Sequence, residues 1–322
     1  MSKKENTLKT ISSNLNSFSR RHIGIDQKVS AEMLKDIGFS KMDDFIQSIV
    51  PKNIYSPESL SVSSELSEEE ALRYIEEISK KNKVYKTYIG QGFYNSVTPA
   101  PILRNIFENP GWYTSYTPYQ PEIAQGRLEA LINYQTMICD LTGMEIANAS
   151  LLDEPTAAAE AMMLAKRQSK SKANLFIVDE QCLPQTINVL ETRAKPLGIE
   201  IKISDPQKMQ DEEYFAALVQ YPGVDGVIRD FSDLVASSHK NEALVIFAAD
   251  ILALTLIKPP GEFGADIVIG SSQRFGVPIG FGGPHAAFMA TKESYKRSLP
   301  GRIVGASICL LYTSDAADES VC

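Results

Sequence analysis

Short apolar runs alternate with amphipathic stretches through the second half of the chain, and this alternation constrains the fold more than any other feature. The runs LFIVD, ALVQY, ALVIFAAD and DIVIG end at Asp179, Tyr221, Asp250 and Gly270. Helix-like segments separate them, for example Leu183–Ala194. Apolar strands that alternate with helices are typical of α/β proteins, in which successive strands pair in parallel. The sequence therefore predicts an α/β domain with a mostly parallel sheet.

The composition narrows the class of protein. The 322 residues are 43% hydrophobic and 22% charged, which is typical of soluble globular proteins. No apolar run approaches the roughly 20 residues that a membrane-spanning helix needs. Lys and Arg number 32 against 40 Asp and Glu, so the net charge is −8 at pH 7, a poor match for a polyanion. We therefore expect neither a membrane nor a nucleic acid as a partner.

The chain before this region has the pattern of a small helical extension. Segment Ser30–Val50 carries apolar residues at helical spacing on both sides of Gly38, which predicts two short helices joined by a glycine turn. A stretch rich in Ser, Glu and Pro then leads into a third helix, Glu68–Lys80. We predict a helical extension over residues 1–65 and a large domain over residues 66–308.

The last fourteen residues do not follow from what precedes them. The run CLLYTSDAADE, Cys309–Glu319, resembles the translation of a sequencing adapter more than a structural element. We therefore expect residues 309–322 to be a non-native tail, with a genuine polar tail as the alternative.

Cysteine usage bears on the cellular compartment. The chain has Cys139, Cys182, Cys309 and Cys322, at spacings that fit neither a metal clip nor a disulfide framework. This is typical of a reducing compartment. The first residues lack the apolar core of a secretory signal but contain Ser, Lys and Arg. We expect a bacterial cytoplasmic protein, and the mitochondrial matrix stays open as the alternative.

Segment Asn148–Arg167 runs from small polar and acidic residues into an alanine-rich helix. Free backbone amides and the Thr156 hydroxyl at such a helix start suit an anionic group such as phosphate. The alternative is a well-capped helix, with Asp153 as its cap and Pro155 in its first turn. The sequence leaves both interpretations open.

A glycine-rich turn follows the last apolar strand, within segment Ile267–Phe288. It matches neither a dinucleotide-binding fingerprint nor a P-loop. Within it, Arg274 either binds a carboxylate or phosphate or pairs with an acid across an interface. His22, His239 and His285 lack metal-binding spacing, so no metal site is predicted. We expect His239 to be solvated at the end of a polar helix.

Tyrosines are concentrated in segment Trp112–Glu122, where Tyr113, Tyr116 and Tyr119 lie three residues apart between prolines. Tyrosines on a rigid extended segment can line a pocket and offer hydroxyl groups to a substrate. The alternative is an aromatic packing patch.

Seven segments together resemble the glycine cleavage system P-protein family, from about residue 17 to residue 307. The matching motifs are RRHIG (Arg20–Gly24), YIGQGFYN (Tyr88–Asn95), ILRNIFENPGW (Ile102–Trp112), YTPYQPE (Tyr116–Glu122), ANASLLDEPTAAAEAM (Ala147–Met162), KPPGEFGADIVIGSSQRFGVPIGFGGPHAAF (Lys258–Phe288) and PGRIVG (Pro300–Gly305). RRHIG and YIGQGFYN resemble the N-terminal half of the long single-chain form, here truncated. Two positions depart from the usual family pattern, Ile25 and Pro155.

The resemblance implies an aspartate-aminotransferase-like fold, that is, the large domain of fold type I of pyridoxal-phosphate (PLP) enzymes. It implies a glycine dehydrogenase (aminomethyl-transferring), which decarboxylates glycine and passes the aminomethyl group to the lipoyl arm of the H-protein. The expected partners are glycine, the lipoylated H-protein and a lysine-bearing C-terminal half or partner subunit. The full-length enzyme is expected to be a homodimer.

The same resemblance implies that this half does not bind PLP covalently. PLP enzymes hold their cofactor through a lysine amine. In the family that lysine belongs to the other half, and here the equivalent turn reads SSQRFG, with Gln273 and Arg274 where a lysine would stand. A guanidinium cannot form the Schiff base. No catalytic residue is therefore expected in this chain.

The resemblance also supplies candidate site residues. Residues expected to face the substrate pocket are Tyr116, Tyr119, Gln120, Tyr94 and Asn95. Residues expected at the interface between the halves or in an anion-binding loop are Thr156, Ser271, Ser272 and Arg274. Two alternatives to this function are a non-catalytic scaffold or regulatory subunit with the aminotransferase fold, and a stand-alone PLP enzyme that uses another lysine such as Lys258.

Overall fold

The computed structural model describes residues 18–22, 24–58, 60–114, 116–208, 212–279 and 285–315. The chain divides between Thr87 and Tyr88 into two compact units. The third helix predicted in the sequence lies in the first unit rather than after the boundary expected near residue 65. Residues 1–17 of the predicted extension lie outside the described residues.

The first unit contains four described helices, α1 (Phe18–His22), α2 (Gln27–Asp36), α3 (Met42–Ile49) and α4 (Glu68–Ser79). Gly38 turns the chain between α2 and α3 with a φ of +87°, a left-handed conformation that glycine adopts without strain. Ser67 and Glu70 form a capping box at the start of α4, in which each side chain accepts a hydrogen bond from the other residue's backbone amide. The predicted pair of helices around Gly38 and the helix beginning at Glu68 are confirmed.

The second unit is built on a seven-stranded sheet among the described residues. Its strands are β1 (Ile146–Ala147), β2 (Leu175–Asp179), β3 (Glu200–Ser204), β4 (Ala216–Tyr221), β5 (Leu244–Ala249), β6 (Ile267–Ser271) and β7 (Ala287–Thr291). They lie in the order β1-β7-β6-β5-β4-β2-β3. Strands β2 to β6 pair in parallel, and β7 runs antiparallel to β6 and β1. The predicted α/β fold with a mostly parallel sheet is confirmed.

Helices flank this sheet, in the pattern that the alternating sequence predicts. The α-helices of the second unit are α5 (Ala100–Ile102), α6 (Gln125–Thr142), α7 (Glu154–Gln168), α8 (Pro184–Ala194), α9 (Ser232–Lys240) and α10 (Pro260–Phe263). A π-helical turn, Leu103–Phe107, and short 3₁₀ turns occur in the connections, for example Pro121–Ile123 and Ser272–Phe275. Among the described residues, no helix combines the length and the apolar character needed to cross a membrane.

Helix α7 packs against the centre of the sheet because its inner face is made of alanines. Ala157, Ala158, Ala161 and Ala165 are fully buried and belong to the same apolar cluster as residues of β2, β4, β5 and β6. Every residue of β4 and of β5 is buried, which explains why these strands have no polar face in the sequence. The carboxyl ends of the central strands are thereby held next to the first turn of α7.

Two additional strands lie near the end of the described chain. Strand β8 (Arg302–Ala306) pairs antiparallel with β9 (Leu311–Asp315). The sequence predicted no strand at either place. Part of the proposed non-native tail, residues 316–322, lies outside the described residues.

Candidate functional site

A cavity of about 230 Å³ lies at the carboxyl edge of the parallel sheet. Parallel strands end at the same edge, so β4, β5 and β6 bring together the residues that end or follow them, Pro222, Asp250 and Ser271. The first turn of α7 contributes Glu154, and the segment before α5 contributes Tyr94. Ligands of open α/β folds bind at this edge, which makes the cavity the candidate functional site.

Glu154 begins α7 and is only 8% exposed. Burial, with the neighbouring Asp250 as the next cause, raises the pKa of its carboxyl group to about 7, although a contact with Gln220 partly offsets the rise. The Asp153 side chain caps the helix by accepting a hydrogen bond from the Thr156 amide at 2.8 Å. The well-capped helix interpretation of this segment is confirmed, with Pro155 in the first turn.

Arg274 follows β6 and pairs with an acid of its own chain. Its Nε lies 3.2 Å from Oδ1 of Asp250, and the guanidinium carbon lies 4.7 Å from the centroid of the Tyr94 ring. Both ends of the pair are about three-quarters buried, since the side chains are 24% and 28% exposed. The pair partly neutralises the Asp250 carboxylate and leaves Glu154 as the acid without a cationic partner among the described cavity residues.

Gln273 lies in the turn that follows β6, and its amide is fixed by the backbone. The side chain is 1% exposed, and Nε2 donates to the carbonyl oxygen of Tyr94 at 3.0 Å and to that of Val277 at 2.8 Å. Among the described residues that line the cavity, none is a lysine. Lys258 instead places its Nζ 4.2 Å from the centroid of the Phe263 ring.

The structure brings only some of the predicted site residues to this cavity. Tyr94, Ser271 and Arg274 line it. Ser272 is buried beside it and donates its hydroxyl to the carbonyl oxygen of Ala286 at 2.9 Å.

Thr156 is half-buried in the first turn of α7, and the four remaining predicted residues lie on the surface of the second unit. Tyr116 and Tyr119 are 79% and 70% exposed, and Asn95 and Gln120 are also exposed. The ring of Tyr119 lies under the guanidinium of Arg302, with 4.5 Å between the ring centroid and the guanidinium carbon. In this chain, these four residues do not line the cavity to which Tyr94 contributes.

Three polar side chains of the cavity were missed at the sequence level, those of Glu154, Gln220 and Asp250. Gln220 could have been recognised as a candidate site residue, because it is a polar residue inside the otherwise apolar run ALVQY. Asp250 ends the next run along the chain. Residues at the ends of neighbouring parallel strands meet at one edge, so the pair was within reach of the sequence pattern.

His239 is exposed in the last turn of α9, as expected, and it also contacts a buried acid. Its Nε2 lies 2.8 Å from Oδ2 of Asp266, a carboxylate that is 1% exposed. Lys292 and the amide of Val245 also bond Asp266. These contacts lower the pKa of Asp266 although burial alone raises it. Among the described residues, no group of three His, Cys, Asp or Glu side chains could hold a metal ion.

Comparison with known proteins gives consistent matches. A family model described as "Glycine cleavage system P-protein" matches residues 20–311. The glycine dehydrogenase (decarboxylating) of Nostoc sp. is 58% identical over 294 residues, a match that covers 91% of this chain and 30% of the relative. The protein of the same name from Pelagibacter ubique is 55% identical over 291 residues and is covered to 31%. The chain thus spans less than a third of the length of these curated relatives.

A solved structure shares the fold over most of the chain. It is described as glycine decarboxylase (P-protein) of the glycine cleavage system, in inhibitor-bound form. It superposes with a TM-score of 0.81 at 32% identity, and the match covers 91% of this chain and 69% of that chain. Together with the family model, which spans most of the sequence, this match means that the chain belongs to the glycine cleavage system P-protein family.

Proposed function

We propose that this chain is the part of a glycine decarboxylase that lacks the Schiff-base lysine. The complete enzyme decarboxylates glycine and transfers the aminomethyl group to the lipoyl arm of the H-protein. A lysine-bearing C-terminal half or partner subunit holds PLP covalently, and this chain contributes walls of the substrate pocket and an assembly surface. The observation that carries the proposal is Gln273, a buried amide with fixed hydrogen bonds in the turn where the lysine would stand.

The residues around the cavity support the proposal that the other half holds PLP, because they do not fit the cofactor. The cofactor needs an amine for covalent attachment and a cradle for a phosphate dianion. The described cavity residues offer no lysine, and the first turn of α7 presents the buried Glu154 carboxyl group next to Asp250. Pro155 also removes one backbone donor from that turn. A phosphate group here would meet like charge, so no step of the reaction is assigned to this cavity.

Exposed aromatic residues support the assembly role. Tyr88, Tyr113, Tyr116 and Tyr119 are each more than 60% exposed, and all four lie on segment 88–123 of the second unit. Concentrated exposed aromatic surface is typical of interaction sites. We propose that Tyr116, Tyr119 and Gln120 face the glycine pocket of the assembled enzyme, with Tyr94 and Asn95 beside them. Thr156, Ser271, Ser272 and Arg274 lie toward the interface between the halves.

The proposed setting follows from the relatives. The relatives named above are bacterial, which supports the bacterial cytoplasm as the location, with the mitochondrial matrix as the alternative. The proposed partners are the lipoylated H-protein, the lysine-bearing half and, in the full-length enzyme, a second copy of the same chain.

A complementation assay tests the proposal. The chain and the lysine-bearing half are produced together, and release of labelled CO₂ from carboxyl-labelled glycine is followed with PLP and lipoylated H-protein. We expect release from the mixture and none from this chain alone. Tyr119→Ala in this chain should lower the rate, whereas Tyr74→Ala, an exposed tyrosine of the first unit, serves as the matched control. A mixture that assembles but releases no CO₂ would favour the scaffold alternative.

A further inference from the structure

The cavity at the carboxyl edge of the sheet has an excess of buried hydrogen-bond acceptors. The single atoms Oε1 of Glu154, of Gln220 and of Gln273 each lack a hydrogen-bond partner among the described residues, although the Glu154 carboxyl group as a whole contacts the Gln220 side chain. All three side chains line the cavity and are at least nine-tenths buried, with exposures of 8%, 6% and 1%. Buried polar atoms of native proteins are normally paired, so three unpaired oxygens around one cavity require an explanation.

The two amide oxygens are acceptors because their amide groups are held in one orientation. Nε2 of Gln273 donates to two backbone carbonyl groups, those of Tyr94 and Val277. Nε2 of Gln220 donates to the carbonyl oxygen of Ala248 at 3.1 Å. Turning either amide over would place an oxygen against a carbonyl oxygen and lose these bonds. The cavity therefore offers acceptors, and the group that satisfies them has to carry donors.

The charges around the cavity favour a cation. Asp250 is already paired with Arg274, whereas the Glu154 carboxyl group faces no described cation in the cavity. Asp250 and Asp153 instead act on Glu154 as like charges. A monocation would compensate Glu154, while an anion would be repelled. The volume of about 230 Å³ restricts the ligand to a small molecule.

We propose that this cavity is a binding site for a small primary ammonium group, that of a short aliphatic amine or that of an amino acid. An ammonium group carries one positive charge and three N–H donors. The cavity presents three unpaired acceptor oxygens, one of which belongs to the Glu154 carboxyl group that lacks a cationic partner. Glu154 supplies the charge-assisted hydrogen bond, and Gln220 and Gln273 supply the neutral ones. The site is separate from the glycine decarboxylation proposed above and needs no lysine.

The test is a calorimetric titration of the purified chain with three probes. We expect ethylammonium to bind in a one-to-one complex. Tetramethylammonium has the same charge but no N–H donor, so it should bind at least tenfold more weakly. Glycine distinguishes the two sources: binding of glycine as tight as that of ethylammonium assigns the site to amino acids, and weaker binding assigns it to amines. Absence of binding by both ethylammonium and glycine, or equal affinity for tetramethylammonium, would overturn the proposal.

Two variants identify the site of binding. Glu154→Gln should weaken ethylammonium binding about tenfold or more, because it removes the charge-assisted hydrogen bond. Glu160→Gln is the matched control on the same helix, since its carboxylate pairs instead with Arg193 at 2.7 Å, and it should leave affinity unchanged.

Gln220→Met keeps the approximate side-chain volume and removes one acceptor, so it should weaken binding several-fold even if Glu154→Gln fails to fold. Unchanged affinity in a folded Glu154→Gln or Gln220→Met variant would contradict the assignment. The titration requires neither the lysine-bearing half nor its activity, so its failure would leave the proposed decarboxylase role untouched.

Discussion

Arg274 and Asp250 join the ends of two neighbouring parallel strands, with Nε of the guanidinium 3.2 Å from Oδ1 of the carboxylate. Asp250 follows β5, and Arg274 lies in the turn after β6. The contact holds the turn that follows β6, and the guanidinium covers one face of the Tyr94 ring. An ion pair therefore links this turn to the end of the neighbouring strand.

The first prediction concerns this pair. Arg274→Ala leaves the Asp250 carboxylate without its partner, so the free energy of unfolding should fall by about 1 kcal/mol, a modest loss because both side chains keep some solvent exposure. Urea denaturation followed by circular dichroism measures the change. Arg274→Lys keeps the charge and should recover part of the loss. An Ala variant as stable as the parent would mean that the pair does not hold the turn.

The second prediction concerns pH. The Glu154 carboxyl group has an ordinary pKa of 4.5 and a folded-state pKa of about 7, so the folded state binds more protons than the unfolded state between these values. Its contribution therefore makes the fold less stable as the pH rises from 4.5 to 7, by up to about 3 kcal/mol above that window.

Glu154→Gln should remove this part of the pH dependence. Relative to the parent chain, the variant should gain stability at pH 8 and show a smaller gain at pH 5, as measured by urea denaturation at both values. Glu160→Gln, whose carboxylate is paired at the surface of the same helix, should leave the pH dependence as it is. If Glu154→Gln changes the free energy of unfolding by the same amount at pH 5 and at pH 8, the buried position of Glu154 is contradicted.

The third prediction concerns a close backbone approach. A Cβ added at Gly261 would lie 2.0 Å from the carbonyl oxygen of Gly143, so Gly261→Ala forces α10 away from the end of α6. We expect a loss of at least about 2 kcal/mol in the free energy of unfolding. Gly126→Ala is the matched control, because a Cβ there meets nothing within 4 Å and alanine favours the helix. It should raise stability by up to about 1 kcal/mol. Equal effects of the two substitutions would show that the contact is not tight.

Most of the sheet could be predicted from the sequence because its central strands are buried on both faces. The runs ending at Asp179 and Tyr221 correspond to β2 and β4, since continuous apolar runs between turn residues have few other interpretations. Gly143 ends α6 in the left-handed conformation that glycine favours at a helix C-terminus.

The edge strands were harder to predict. Strand β3 (Glu200–Ser204) was missed although its residues alternate between polar and apolar, because the prediction relied on continuous apolar runs. Strand β1 has only two residues and is defined by its pairing with β7, a long-range contact that no local pattern reveals.

The cavity residues also differ in how far the sequence reveals them. Arg274 was a candidate because of its place in a glycine-rich turn. Asp250 is visible as the end of an apolar run, but its pairing with Arg274 depends on β5 and β6 being neighbours in the sheet. Glu154 was not singled out, because only Asp153 and Pro155 carried the helix-start signal, and the burial of Glu154 depends on packing against the sheet. The contact of the exposed His239 with Asp266 was not predicted for the same reason, since Asp266 lies 27 residues away in sequence.

The most direct test of the account asks which chain holds the cofactor. This chain and the lysine-bearing half are mixed with PLP and glycine-free buffer, reduced with borohydride and mapped by peptide mass spectrometry. The account predicts a pyridoxyl label on a lysine of the partner half and none on this chain. A stoichiometric label on Lys258, or on any other lysine of this chain, would contradict it.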